Sequence, residues 1–479
     1  MTSLITPARL GLLLRPRSVA LVGATDKSEF SRAAYRNLLE FGLEKHTHLV
    51  SLRGNRVHGR DTVTSCTDIR ERVDVAFMMV PQAGTLAALA DAAAAGIPNA
   101  LVLSSGYADA GEAGRRAQAE LIAHARSLGM LLLGPNHLGF ANFVHQMPVT
   151  AIPALPRAAG PVALVSQSGM SASAMLDFAT MTGIGLSYVV TVGNEAMITA
   201  GHVLDYLAAD EHTKAVGLFL ETVRDWRLFS SAARRAARAG KAVVVLKTGR
   251  SEMSARAAAA HSGALAGDDK AVDAALRELG VIRVRSIEEL VLTAGAAAHL
   301  GRLERPGIGV VSISGGACDM LADHAAEVRA SLPALAPATS GALAQVIPAY
   351  GTVQNPLDIT GGAIINPAIF TSAIELMAAD PRVGVVAVVS ALPWQPDGTQ
   401  WAGQVFADAI GAGAASARVP VVLLTQALQP ITGYTRQVMA RAGIAHAIPG
   451  LRHAVVALRN LGWWSEATKP AQAQWASRP

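Results

Sequence analysis

With 479 residues the chain exceeds what one hydrophobic core usually serves, and about three domains are expected at roughly 150 residues each. Its 51% hydrophobic and 16% charged content excludes a disordered chain, and no apolar run reaches the ~18 residues of a membrane span. The net charge of +5 is spread over scattered Lys and Arg, which argues against a nucleic-acid interface, and two cysteines, Cys66 and Cys318, exclude a disulfide framework. The apolar stretch at 10–14 is short and flanked by arginines, unlike a secretory signal, so a cytoplasmic protein with no membrane partner is expected.

Apolar strand-like runs alternate with helical segments almost from end to end, which predicts parallel α/β architecture. In the first part SVALVGA (18–24), DVAFMMVP (74–81), NALVLSSG (99–106) and MLLLGPN (130–136) read as buried strands, with helices over 84–95 and 111–128 between them. Such sheets bind ligands beyond the carboxyl ends of their strands, so VGAT, VPQAG, SSGY and GPNH fall where a ligand site is expected. Residues 148–160, PVTAIPALPRAAG, read as a linker.

A second unit opens with VALVSQSGM (162–170) and a helix to about Thr180, followed by strands at 187–194, 215–221 and 242–249. Asp268 and Asp269 are placed to cap a helix running to Leu279, with Gly280 just beyond it. Strand 281–284 follows, and Ser286 with Glu289 predicts a capping box for the last helix of this unit. GRLERPG (301–307) reads as a second linker. IGVVSISGGACDM (308–320), VGVVAVVSAL (383–392) and VPVVLLTQA (419–427) then supply a third α/β unit, and the tail after Trp464 is expected to be disordered.

Several segments could carry chemistry. VGAT (22–25) ends a strand but lacks the later glycines of a dinucleotide fingerprint, and no Walker A motif is present. In SQSGM (166–170) the small residues between strand and helix leave first-turn N–H groups able to bind an anion, with Ser166 and Ser168 adding hydroxyls. The alternative, Ser168 as a plain helix cap, is equally open. His261 stands among small residues in ARAAAAHSGALAGDD (255–269), and locally an exposed loop histidine is the simpler reading. The other reading is a nucleophile that takes and later gives up a phosphoryl group. That role needs an anion cradle and an orienting carboxylate, and Glu221 at the end of AVGLFLE is suitably placed for the latter. Asn355 and Asp358 in NPLDITGG read as turn residues, and His137 and His202 lack metal-ligand partners at a recognisable spacing.

The segments VGAT, VDVAFMMVP, LVLSSGY, GPNHLG, VALVSQSG, VGN, YLAAD with LE, VVVLKTGRS, AHSGALAGDD and NPLDITG occur in one order from about residue 10 to 455. Together they resemble the NDP-forming acyl-CoA synthetase family of the succinyl-CoA synthetase superfamily, most closely the α subunit or CoA-binding half of ADP-forming acetyl-CoA synthetases. The resemblance implies a CoA-binding Rossmann domain (8–147) followed by two flavodoxin-like, doubly wound α/β domains. The first of these (160–300) would carry a phosphohistidine loop, the second (306–460) would be a ligase-CoA domain, and 465–479 would form a disordered tail.

It also implies an acid–CoA ligase in which acyl-CoA and phosphate give acyl phosphate and CoA, a histidine takes the phosphoryl group, and ADP receives it in an ATP-grasp module. The motif histidine corresponds to His261 and its supporting carboxylate to Glu221. The phosphate-binding turn corresponds to Ser166, Gln167, Ser168, Gly169 and Met170, and coenzyme A is expected near Gly23, Ala24, Thr25, Val80, Pro81, Ser104, Ser105, Gly106 and Asn136. No metal site is expected on the chain itself. The family's His-Thr-Gly reads His261-Ser262-Gly263 here, its GPNC reads GPNH, and its VNP-like turn reads SLRGN (51–55). No segment after residue 465 could hold an ATP-grasp module, so a separate β subunit is expected to bring it, with ATP or ADP and Mg²⁺, in a hetero-oligomer; a homodimer is the other assembly considered. The alternatives are a non-catalytic CoA-binding regulatory module and nucleotide-independent CoA transfer. The acid, small or aromatic, is left open.

Overall fold

Runs of Val, Leu, Ile and Ala build three sheets in the computed structural model, which describes residues 5–251, 253–254, 269–393, 395–396 and 403–469. The first holds β1 (Val19–Val22), β2 (Thr47–Val50), β3 (Val75–Met78), β4 (Asn99–Val102) and β5 (Leu131–Leu133), all parallel, in the order β2-β1-β3-β4-β5. These strands are almost wholly buried, as parallel strands covered on both faces must be.

The second sheet contains β6 (Gly139–Asn142), β7 (Met147–Thr150), β8 (Ala159–Ser166), β9 (Leu186–Thr191), β10 (Ala215–Leu220), β11 (Ala242–Lys247) and β12 (Ile282–Val284), ordered β12-β11-β10-β8-β9-β6-β7. Its parallel part, β8 to β12, repeats the order of the first sheet, and β6 and β7 extend it as an antiparallel hairpin beside β9. The third sheet, β13 (Ile308–Ser312), β14 (Leu357–Asp358), β15 (Val385–Val389), β16 (Val421–Thr425) and β17 (Ala447–Pro449), runs β14-β13-β15-β16-β17, the same order again. In each sheet the first strand of the unit lies between the second and third, so the connections reverse direction there and leave a crevice beyond the strand ends.

The chain divides into two compact units, Met1–Asp177 with Gly185–Arg285, and Phe178–Ile184 with Ser286–Pro479. One continuous apolar core joins the first two sheets inside the first unit. The third sheet has its own core in the second unit. No helix among the described residues is long and apolar enough to cross a membrane.

Three expectations change. The segment read as a linker at 148–160 begins inside β7, and its first residues are buried. The Asn37 side chain holds it down, donating from Nδ2 to the Thr150 and Ile152 carbonyls at 2.9 and 2.7 Å. Pro148 is tolerated because β7 is the edge strand of its sheet, where a missing N–H costs no ladder bond. The tail expected to be disordered from residue 465 instead starts as helix: Leu451–Thr468 is continuous, and Ser465 and Thr468 are each 1% exposed. Ser465 Oγ accepts the Leu303 N–H at 2.9 Å, which makes the 301–307 segment a packed connection rather than a loose linker. Residues 470–479 lie outside the described residues.

Helix signals fared better. Asp269 starts the helix Asp269–Glu278, with Gly280 in the left-handed conformation after it, and Ser286 Oγ accepts the Glu289 N–H at 3.2 Å. Asp268 lies outside the described residues.

Candidate functional site

Among the described residues of the first unit, a cavity opens at each strand-order crevice. The cavity of the first sheet, about 810 Å³, opens between the ends of β1 and β3 and is lined by Gly23, Ala24, Thr25, Val80 and Pro81 among others. Gly23 adopts φ +85°, and a Cβ there would meet Val80 Cγ1 at 2.7 Å and the Met79 carbonyl at 3.0 Å, so only glycine lets the turn pass. Its N–H and that of Ala24 both donate to the Val50 carbonyl, which ties the turn to the end of β2. Ala87 and Ala88 supply apolar wall, and Lys27 and Arg53 bring positive charge to the rim.

A histidine that the sequence did not single out braces this turn. His58 Nδ1 lies 2.9 Å from Asp26 Oδ1, its Nε2 lies 2.9 Å from Ser31 Oγ, and its ring stacks on Tyr35 at 4.9 Å. Ser31 Oγ in turn accepts the Thr25 N–H at 3.0 Å. Burial lowers the His58 pKa, and the neighbouring Asp26 carboxylate works against that shift. SLRGN (51–55) is therefore the start of a loop whose far end is fastened to the β1 turn.

The second cavity, about 670 Å³, opens between the ends of β8 and β10 and is walled by loops from both sheets. Ser104, Ser105 and Asn136 come from the first sheet, Gln167, Ser168, Gly169, Met170 and Glu221 from the second, and Pro81 lines both cavities. The residues expected around one CoA site thus divide between two adjoining spaces.

Two of the expected site residues point elsewhere. Ser166 is 1% exposed, and its hydroxyl accepts the Ser168 N–H at 3.1 Å and donates to the Ser168 carbonyl at 2.7 Å, so it shapes the turn and does not line the cavity. Gly106 also lies off the lining: its carbonyl accepts from Gln82 Nε2 at 2.8 Å and its N–H donates to Asp109 Oδ2 at 3.0 Å. Ser168 Oγ accepts the Ser171 N–H at 3.2 Å and so caps the helix Gly169–Met181. Gly169 and Met170 open that helix, where backbone N–H groups have no carbonyl of an earlier turn to meet. Gln167 cross-links the two strand ends: its Oε1 accepts the N–H groups of Glu221 and Thr222 at 2.6 and 3.0 Å, and its Nε2 donates to the Thr222 carbonyl at 2.8 Å. His261 lies outside the described residues.

The cavity also contains groups that were not among the expected site residues. Asn194 Nδ2 donates to Asp109 Oδ1 at 2.7 Å, and Asn136 Nδ2 donates to Asn194 Oδ1 at 3.2 Å. Gly193, at φ +54°, makes this possible, since a Cβ would sit 2.2 Å from the Pro135 carbonyl. Burial works against the Asp109 carboxylate, but donors at Gly106, Asn194 and Tyr107 outweigh it and hold its pKa below the usual value. His137 is 3% exposed, and burial pushes its pKa down to about 3, so the ring is neutral near pH 7. Its Nδ1 lies 2.9 Å from the Gly139 nitrogen, and its Nε2 has no hydrogen-bond partner among the described residues. Arg224 is the one lysine or arginine on the described lining.

Known proteins share this fold and domain order. A CoA binding domain model matches residues 17–142, a succinyl-CoA ligase like flavodoxin domain matches 159–297, and a Ligase-CoA domain matches 308–394. The alpha subunit of acetate–CoA ligase [ADP-forming] I from Pyrococcus furiosus is 33% identical over 387 residues, which cover 79% of this chain and 82% of that one. A trans-feruloyl-CoA synthase from an unknown prokaryotic organism is 31% identical over 78% of this chain, which spans 54% of that protein's length. Among solved structures, acetyl-coenzyme A synthetase 1 of Ca. Korarchaeum cryptofilum in complex with phosphate and ADP superposes with a TM-score of 0.84 at 27% identity, covering 98% of this chain and 99% of that one. With a CoA-binding Rossmann-like domain followed by flavodoxin-like domains, the chain belongs to the NDP-forming acyl-CoA synthetase family and is similar to its α-subunit, CoA-binding half.

Proposed function

We propose that the chain is the α-type subunit of an ADP-forming acid–CoA ligase, interconverting acyl-CoA, phosphate and ADP with acid, CoA and ATP. The observation that carries this reading is the pair of adjoining cavities that share Pro81. The first suits coenzyme A: a glycine turn admits close backbone approach, alanines give apolar wall, and Lys27 and Arg53 offer charge for phosphates. The thioester end would then pass Pro81 into the second cavity, where the N–H groups of Gly169 and Met170 meet an anion.

There a phosphate oxygen attacks the thioester carbonyl, the C–S bond breaks, and CoA leaves as its thiol. A nitrogen of His261 next attacks phosphorus and the acid departs as its carboxylate. Glu221, whose backbone Gln167 holds in place, would stabilise the charged phosphohistidine ring. The terminal oxygen of ADP then takes the phosphoryl group as the P–N bond breaks. An ATP-grasp chain would hold that nucleotide with Mg²⁺, and the naming of the Pyrococcus relative as an alpha subunit supports such a partner. Relatives named for acetate, ferulate and 4-hydroxybutyrate bracket a range of acids, with acetate the natural first probe.

Incubation with acetyl-CoA and labelled phosphate should label wild type on His261, and His261→Asn should abolish the label. Label that survives in His261→Asn would overturn the assignment. Glu221→Gln should slow labelling while leaving CoA affinity unchanged; equal labelling rates would remove Glu221 from the mechanism.

A further inference from the structure

In the second cavity the balance of charge is unusual. Asp109 is taken up by N–H donors, His137 is neutral, and Glu221 adds a carboxylate. An incoming anion therefore has one side-chain countercharge among the described lining residues, Arg224. Arg224 is not left to wander in solvent. It sits on a short segment fixed at both ends, since Gln167 binds the backbone of Glu221 and Thr222, and Asp225 caps the helix Trp226–Arg238 through the Leu228 N–H.

Behind Arg224 stands a buried carboxylate. Glu195 has a side chain 2% exposed and a backbone at φ +54°, a left-handed conformation that non-glycine residues seldom take and that tends to mark functional strain. Its Oε1 accepts the N–H of Ala200, the first residue of the helix Ala200–Ala209, at 2.7 Å. Its Oε2 lies 3.4 Å from Arg224 Nε and has no hydrogen-bond partner among the described residues. A carboxylate is costly to bury unless it serves a partner, and here the partner is a guanidinium that faces the cavity. Contact through Nε leaves the two terminal nitrogens of Arg224 with no other partner among the described residues, and these are the atoms a guanidinium uses to grip an oxyanion.

We propose that Arg224 is the cation that binds inorganic phosphate in the second cavity, and that Glu195 is a positioning residue that holds the guanidinium toward it. The identity of the anion rests on the acid–CoA ligase reading. Phosphate is favoured over a substrate carboxylate because its oxygens point in four directions. It can meet the Gly169 and Met170 N–H groups on one side and Arg224 on another.

The test is phosphate binding to the full-length chain, followed by ³¹P NMR or calorimetry, with CoA binding and thermal unfolding measured in parallel. Arg224→Gln should weaken phosphate binding about 10- to 100-fold, the loss of one charge-assisted contact. Arg224→Lys should recover part of that loss. Glu195→Gln should weaken phosphate binding less, and Glu195→Gln/Arg224→Gln should bind no more weakly than Arg224→Gln alone. CoA affinity should stay the same in all four. The double variant leaves no buried carboxylate without its cation, so it carries the test if Arg224→Gln does not fold. Unchanged phosphate affinity in Arg224→Gln, additive losses in the double variant, or a wild type that binds no phosphate would each overturn the proposal. So would a rise in KM for acetate with no rise in KM for phosphate during turnover with the ATP-grasp chain, which would make Arg224 a carboxylate clamp. A wild type that binds phosphate through Arg224 but shows no phosphate-dependent release of CoA from acetyl-CoA would sustain this site and overturn the ligase reading.

Discussion

Two cavities of the first unit open where strand order reverses, between β1 and β3 in one sheet and between β8 and β10 in the other. The first is a glycine turn against alanine wall with cations at the rim; the second gathers Asn136, Asn194, Asp109, Glu221 and Arg224 around a helix start. Shared topology explains where they lie, because the connections on either side of the reversal leave in opposite directions. It does not explain what they bind. That depends on the few residues after each strand and on what holds them, a His58–Asp26 brace in one case and Gln167 in the other.

If the cavities divide the work in this way, substitutions should separate their functions. The largest effect is expected from Gly23→Val, which puts a branched side chain at φ +85° against Val80 and the Met79 carbonyl. It should cost about 3 kcal/mol of stability and abolish measurable CoA binding, with phosphate binding to the folded fraction retained. Parallel CoA and phosphate titrations check this, and joint loss of both ligands would collapse the comparison. Gln167→Ala, which strips the partner from the Glu221 and Thr222 N–H groups, should cost about 1–3 kcal/mol. Its signature is slower phosphoryl transfer at unchanged CoA affinity; the reverse pattern would show that Gln167 serves the first cavity.

A smaller change follows from His58→Gln, which loosens the brace on the β1 turn. About 1 kcal/mol of stability and a severalfold weaker hold on CoA are expected, with phosphate affinity untouched. The last effect vanishes at neutral pH. Burial holds folded His137 at about 3, whereas an unfolded histidine titrates near 6.5, so between these values the unfolded chain binds a proton that the folded chain refuses. The stability due to neutral His137 is therefore complete above about pH 6.5 and is lost progressively as pH falls toward about 3. Urea unfolding of wild type and His137→Gln at pH 7 and pH 4.5 tests this. The variant should lose less stability on acidification, and an equal loss would show that the His137 ring is solvated.

The strands were legible because parallel sheets covered on both faces need unbroken apolar runs, and VALV, VAFM, AVGLFL and AVVVLK are such runs. The edge hairpin was not, because Pro148 and the Pro- and Ala-rich residues after it carry the composition of a linker, and only the Asn37 contacts show that the stretch is packed. The helix at 465–468 was hidden in the same way: Ser465 and Thr468 look like tail residues until the Leu303 N–H is found on Ser465 Oγ and both side chains are found buried. At the site, SQSGM was recognisable as a turn that opens a helix, but Ser166 spends its hydroxyl on that turn, which local sequence could not distinguish from a ligand contact.

Alone, the sequence determined the parallel α/β architecture, the start of a helix at Asp269, the helix cap at Ser286, the glycine turn after β1 and the strand-end positions where ligands are expected. These depend on side-chain periodicity and on backbone conformations set by near neighbours. Only the tertiary structure decided that the expected CoA residues divide between two cavities, that Pro81 lines both, and that Glu195 stands behind Arg224. A contact between loops from different strands depends on how sheets pack and where their connections turn, and no local pattern along the chain encodes it.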